Sequence, residues 1–331
     1  MKTIHCMRRT HNALLAACLL LPALALAQTN DDWPKKPIKM VVPFSPGGSN
    51  DNIARLVSIK MGEKLGQPVI VENKVGSGGL IGSDSVAKSA ADGYTLLFTS
   101  SSIVTNAVSG KKVLHDPQQA FTPIGKICSS PFAIVTANKV PGAKLADFIA
   151  YAKQNPEKVH YGTAGVGGMN HLATELFAKA AGIQIVHVPY KGISQSYNDL
   201  MGGSLEMMLP SLTSMAPHIL SGKVRGLAVT SKLRSPLLPD VPTAIEAGLP
   251  GFELEVWFGL MAPAALPARI TQQLNTTLNQ VLADPEVLKA FAREAVTALP
   301  GTPDDLKKQI AADTALWKKV IRENNIKINE N

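Results

Sequence analysis

Two glycine-rich turns hold the residues of this chain best suited to chemistry. They are Pro46-Gly47-Gly48-Ser49-Asn50-Asp51 and Gly165-Val166-Gly167-Gly168-Met169-Asn170-His171. Each follows an apolar run of strand character and precedes an amphipathic run of helix character. A helix N-terminus offers backbone N–H groups without intrahelical partners, at the positive end of the peptide dipoles, and so suits an anion. Glycine removes the side chain that would keep an anion off that backbone. The turns lie about 120 residues apart, a spacing suited to two jaws closing on one anionic ligand. Ser49 or Asp51 is the expected cap of the first helix, and Asn170 of the second.

Other chemistries find less support. Gly162-x-x-Gly165-x-Gly167 has a superficial phosphate-loop spacing, but its order is not G-x-G-x-x-G. The following strand ends in His187-Val188-Pro189 without a ribose-binding carboxylate, and no Walker lysine follows either turn. There is no G-x-S-x-G elbow, and Cys128 has no evident partner. His171 near Thr163 is the one base-like pairing, and a histidine in the first turn of a helix is expected to order the loop instead. His160 and His171 stand 11 apart, which matches no common zinc spacing. No catalytic residue, metal or cofactor is therefore expected.

The elements that must hold the turns alternate. Strands are expected at 38–43, 69–71 and 94–98, with helices at 51–65 and 80–90 between them. The pattern restarts with strands at 132–136, 159–162, 183–188, 205–209 and 224–230, interleaved with helices at 145–154, 171–181 and 194–201. A strand at 253–261 then returns to the first unit, and helices follow near 267–284, 285–294 and 303–324. Such alternation implies parallel α/β sheets. The expected division is a first lobe of residues 28–125 plus 250–331 and a second of 126–249, crossed near 125–131 and 250–262. Two crossings allow the lobes to hinge shut on a ligand.

The ends bound the setting. Lys2, Arg8 and Arg9 precede a nearly continuous apolar run from Ala13 to Leu26, and Ala25-Leu26-Ala27 is a small-x-small cleavage pattern. Residues 1–27 thus read as a secretory signal cleaved after Ala27, too short in its apolar part for a membrane span. Gln28, not cysteine, follows, so a lipid anchor is not indicated. The remainder keeps one cysteine, Cys128, which precludes an internal disulfide and suggests a buried thiol. It also keeps 30 basic against 25 acidic residues, scattered singly, without a patch for nucleic acid. Nothing in the sequence demands an oligomer, and a monomer is expected.

At this point the chain resembles the periplasmic solute receptors of tripartite tricarboxylate transporters, often called Bug-type receptors. The likeness rests on Val42-Pro43-Phe44-Ser45-Pro46-Gly47-Gly48 with Asp51 and Arg55, Val71-Glu72-Asn73-Lys74, and Gly78-Gly79-Leu80-Ile81-Gly82. It continues through Asp92-Gly93-Tyr94-Thr95-Leu96-Leu97, Val188-Pro189-Tyr190-Lys191-Gly192, Leu238-Pro239-Asp240-Val241-Pro242-Thr243 and Trp257-Phe258-Gly259-Leu260. The resemblance implies an α/β, two-lobed, type II periplasmic-binding-protein-like fold with a small carboxylate between the lobes. It also implies delivery to integral membrane transporter subunits. Carried onto this chain, one grip uses Ser45, Gly47, Gly48, Ser49, Asn50 and Asp51, with Asp51 ordering the loop. The second uses Thr163, Gly167, Gly168, Met169, Asn170 and His171. Gly168 replaces a frequent Ser or Thr, and Asn170 offers an amide donor in compensation. Pro210 stands where many relatives carry an acid, which argues against an ammonium-bearing ligand. Within Thr99-Ser100-Ser101-Ser102, Ser101 is expected to reach the ligand's second polar end. Phe44, Met169, Met208 and Phe258 are candidate apolar walls, and if several line the cleft the ligand has an apolar or aromatic body. A sensing subunit and a periplasmic ester hydrolase are the alternatives.

Overall fold

The run Ile38-Lys39-Met40-Val41-Val42 is apolar at every position but one, and it forms a strand, β1 (Ile38–Val42), buried at every position except Lys39. Such near-continuous burial belongs to a parallel strand covered on both faces. The computed structural model describes residues 33–109 and 116–324. The expected signal segment lies outside them. Beside β1 run β2 (Val69–Asn73) and β3 (Thr95–Ser100), both parallel to it. β4 (Phe121–Pro131), β10 (Glu255–Pro263) and the short β11 (Thr297–Ala298) complete a six-stranded sheet in the order β11-β4-β10-β3-β1-β2.

The second sheet has five strands in the order β7-β6-β8-β5-β9. These are β5 (Ala133–Thr136), β6 (His160–Thr163), β7 (Val186–Pro189), β8 (Met207–Met208) and β9 (Arg225–Val229). β6 is parallel to β7 and β8, whereas β5 is antiparallel to β8 and β9. The sheets share a plan. In the first, β1 enters a glycine turn, then helix α1 (Ser49–Leu65), then the parallel neighbour β2. Helices α2 (Leu80–Ala87), α3 (Ser102–Val108) and α4 (Leu145–Gln154) follow along the chain. In the second sheet β6 enters a glycine turn, then helix α5 (Met169–Ala181), then β7. Both turns therefore sit at the carboxyl end of a parallel strand, where open α/β sheets bind ligands.

The chain leaves the first sheet between β4 and β5 and returns along β10. β4 and β10 pair antiparallel from Phe121↔Pro263 to Pro131↔Glu255, with irregularities at Phe258/Gly259 and Leu260/Met261. Thr230 ties the two crossings together. Its Oγ1 accepts the Phe132 N–H at 2.8 Å and donates to the Leu254 carbonyl at 2.5 Å.

Two helices of the second half, α6 (Ile193–Gly202) and α7 (Leu212–Leu220), flank β8, and α8 (Ala268–Leu282), α9 (Pro285–Arg293) and α10 (Pro303–Asn324) end the described chain. Leu306 and Ile310 of α10 pack into one buried cluster with Val41, Leu97, Trp257 and Met261. Trp257 Nε1 donates to Asp313 Oδ2 at 2.6 Å, which satisfies the indole within that apolar contact. No helix among the described residues is long and apolar enough to cross a membrane. Cys128 is buried in β4, and burial pushes its thiol up, away from the thiolate a nucleophile needs.

Three departures from the sequence expectation affect the site. β3 continues through Thr99 and Ser100, because both pair with Gly259 and Phe258 of β10. The stretch 99–102 is thus a strand end and a helix start, not a loop. β4 falls where no strand was expected and is paired with β10 along its length. α7 carries no sequence signal, since Pro217 lies inside it, yet Leu212, Met215 and Ala216 are buried and hold it.

Candidate ligand-binding site

The two glycine turns have the same backbone. Gly47 has φ 79° and Gly167 φ 74°, the left-handed region that favours glycine. The next residues, Gly48 (φ −85°, ψ 168°) and Gly168 (φ −69°, ψ 165°), are the N-caps of α1 and α5. Neither helix has a side-chain cap, which corrects the caps expected from Ser49, Asp51 and Asn170. The helices begin earlier than expected, at Ser49 and Met169, so these residues fall inside the first turn. The first helical bonds are Asn52 N–H to the Gly48 carbonyl at 3.0 Å and Leu172 N–H to the Gly168 carbonyl at 3.1 Å. The N–H groups of Ser49, Asn50, Asp51 and Asn170 precede them and supply the anion-binding character of a helix start. Met169 N–H is instead donated to Ser102 Oγ at 3.2 Å, joining the second turn to α3.

Each turn is stapled by the side chain four residues beyond its left-handed glycine. In the first, Gly47 N–H donates to Asp51 Oδ2 at 3.1 Å. Arg55 Nε donates to the same oxygen at 2.9 Å, and Asn73 Nδ2 to Asp51 Oδ1 at 3.0 Å. Asn73 also holds the Phe44 carbonyl. Burial opposes ionisation of Asp51, but the hydrogen bonds from Arg55, Asn73 and Gly47, with the Arg55 charge, outweigh it and hold the carboxyl below its ordinary range. A group with a depressed folded pKa adds stability above its unfolded pKa and loses it as pH falls through the folded value. Asp51→Ala is accordingly expected to lower unfolding stability at pH 7 by about 2 kcal/mol. It should also flatten the acid limb of the stability curve below about pH 4, read by urea melts across pH.

In the second turn, Gly167 N–H donates to His171 Nδ1 at 3.2 Å. The His171 ring lies 4.2 Å from that of His187 and 6.4 Å from that of Tyr161. Thr163 Oγ1 is 2.6 Å from His187 Nε2 and accepts the Gly165 N–H. The Tyr161 hydroxyl donates to Glu175; burial raises both groups, and the Glu175 carboxylate raises the tyrosine further. Thr163 and His171 therefore stand behind the turn as its support.

The turns face one cavity with about 30 Å³ of space for water. Phe44, Gly48, Asn50, Ser100 and Ser102 line it from the first sheet's side, and Val256 and Phe258 from β10. Phe132, Ala164, Asn170, Ile193, Tyr197 and Ser211 line it from the second. None of these side chains carries a charge. Asn50 Oδ1 is buried there without a partner, the signature of a wall atom that awaits a bound group. Asn170 Nδ2, expected as a ligand donor, gives a hydrogen to the Leu209 carbonyl at 2.8 Å. The two sides meet at the mouth: Ser194 Oγ donates to the Pro46 carbonyl at 2.9 Å and lies 3.2 Å from Ser45 Oγ. The arrangement is that of closed jaws.

Of the residues expected to touch ligand, Phe44, Gly48, Asn50, Asn170 and the candidate wall Phe258 line the cavity. Gly47, Gly167 and Gly168 shape the turns, Ser45 lies at the mouth, and Ser49 begins α1. Ser101, whose Oγ is buried without a partner, and Met169 line a separate hollow with Trp257 and Trp317, while the neighbours Ser100 and Ser102 line the cavity. Pro210 accepts the Ala133 N–H through its carbonyl, while the next residue, Ser211, reaches the cavity. Met208 is core. Phe132, Ile193, Tyr197, Ser211 and Val256 went unforeseen; Ile193 and Tyr197, one turn apart behind Gly192, carried the one usable signal.

Two sheets of one plan, two copies of an anion-binding turn and a closed uncharged cavity define a solute-binding protein of the two-jawed α/β class. The profile described as "Tripartite tricarboxylate transporter family receptor" matches residues 53–326, and the chain belongs to that family. Solved structures agree. The periplasmic binding protein BugD is 34% identical with a TM-score of 0.85, covering 89% of this chain and 99% of its own. Rpa4515 of R. palustris with adipate is 35% identical with a TM-score of 0.86, covering 89% and 99%. MatC from Rhodopseudomonas palustris with bound malate is 29% identical with a TM-score of 0.83, covering 87% and 100%. The type II periplasmic-binding-protein-like fold follows.

Proposed function

We propose that this protein is the periplasmic receptor of a tripartite secondary transporter, and that it captures a small organic acid by its carboxylate between two lobes. The observation that carries this reading is the pair of matched glycine turns at helix starts, both facing one cavity without a charged side chain. Neutral N–H and hydroxyl donors hold a carboxylate at modest cost and release it again, as a carrier must. The lobes are residues 28–125 with 250–331, and 126–249, and they hinge at β4 and β10 about the Thr230 tie. Adipate and malate in the two related structures support a carboxylate as the ligand class. Closure around the ligand forms the surface that the membrane subunits recognise, a shift of population toward the closed state. Residues 1–27 export the chain and are removed behind Ala27. The protein binds and does not turn its ligand over: His171 Nδ1 is engaged by Gly167 N–H, and His187 Nε2 by Thr163 Oγ1.

The test is calorimetric titration of the purified protein with a panel of acids and the corresponding amides. An acid is expected to bind about 100-fold or more tightly than its amide, because the amide cannot accept at both helix starts with a full charge. Equal binding of the pair would overturn the clamp. Co-purification with integral membrane subunits tests the transport role.

A further inference from the structure

Resting on the carboxylate-clamp reading, we infer that the ligand is a monocarboxylate with an apolar, aromatic body, not a di- or tricarboxylate. The clamp has donors for one carboxylate, at the point where α1 and α5 begin. Away from it the wall is Phe132, Val256, Phe258 and the ring of Tyr197, while Ile193 lies against Gly48 at the start of α1 and Phe44, its ring against Gly79, lines the first sheet's side. Phe132 and Phe258 are each 1% exposed, so these faces are already closed against solvent. Four aromatic rings around one small space suit the edges and face of a bound ring.

A second carboxylate meets no cation there, since no lysine, arginine or histidine lines the cavity. Ser100 and Ser102 accept backbone N–H groups and keep their own hydrogens, but Ser102 takes the Met169 N–H at the start of α5 and so belongs to the clamp. Ser211 Oγ donates to Ser130 Oγ at 3.1 Å, Thr213 Oγ1 donates to the same oxygen at 3.0 Å, and Ser130 passes its own hydrogen to the Pro131 carbonyl. Ser211 therefore turns lone pairs toward the cavity, which oppose an anion and welcome a ligand O–H or N–H. The Tyr197 hydroxyl accepts from Ser214. Stripping water from an ionised carboxylate without returning a partner is among the costliest steps a site can impose. The same wall gains from every apolar carbon it covers. This chain therefore departs in ligand from the adipate-bound and malate-bound relatives.

The experiment is calorimetric titration of the purified protein with benzoate, 4-hydroxybenzoate, cyclohexane carboxylate, adipate, malate and citrate at one pH where all are ionised. Benzoate or its hydroxy form is expected to bind about 100-fold more tightly than any of the three polycarboxylates. It should also exceed cyclohexane carboxylate. Adipate, malate or citrate binding as tightly as benzoate would overturn the inference and leave the clamp standing. Cyclohexane carboxylate binding as tightly as benzoate would overturn its aromatic part. No binding of any acid, after mass spectrometry of the denatured protein has excluded a retained one, would count against the clamp itself.

Discussion

Replacing Gly192 by valine is expected to weaken binding of the tightest acid by about 100-fold or more, with little loss of folding stability. Gly192 caps α6 with φ −157° and ψ 149°, extended backbone open to any residue, so the substitution strains nothing locally. Its only obstacle is across the mouth. A β-carbon at this position would lie 2.8 Å from Ser45 Oγ and 2.9 Å from Ser45 Cβ, with Val75 Cγ1 at 3.7 Å. Rotating the serine hydroxyl away relieves the first contact but not the second, because Cβ moves only with the backbone. Valine adds two methyl groups to that overlap. The jaws must then stop short of the contact between Ser194 and the Pro46 carbonyl, and the ligand is held by one helix start instead of two.

The choice of Gly192 matters. Gly165 also seals the closed state, with a β-carbon placed 3.2 Å from Gly78 N, but its φ of 130° would mix backbone strain with steric blockage. Calorimetry would give the affinity of Gly192→Val, and small-angle scattering with saturating acid would report whether the protein still contracts. Full affinity together with normal contraction would mean that the mouth does not close as the structure has it.

Much of this was legible in the chain, for identifiable reasons. Strands covered on both faces, β1 (Ile38–Val42) and β5 (Ala133–Thr136), appear as mostly apolar runs, broken only by Lys39 in the first and ending in Thr136 in the second. The turns are legible because a left-handed residue after a strand calls for glycine, and Gly47 and Gly167 are where it occurs. The cavity wall was less so. Phe132 lies in the link between two strands and Val256 inside a long paired one, so their facing depends on register and not on local pattern. The strand gives way to a helix between Ser100 and Ser102, and which of these serines faces the cavity depends on where that change falls. Cap residues misled for a related reason: a side chain able to cap is also able to staple, and only the start of the helix decides between them.

That distinction yields the other large effect. Asp51 and His171 stand at the same offset from their glycines and accept the same kind of N–H, but their chemistry differs. Asp51 is held ionised by its partners, so its staple persists until strongly acid pH. His171 Nδ1 accepts the Gly167 N–H from a ring that lies 4.2 Å from that of His187. His171→Phe keeps a ring in that stack and removes the acceptor, so affinity for the tightest acid is expected to fall about tenfold as the second turn loosens. Calorimetric titration of both proteins at one pH decides the matter. A phenylalanine variant that binds as tightly as the parent protein would mean that this staple does not hold the turn for binding.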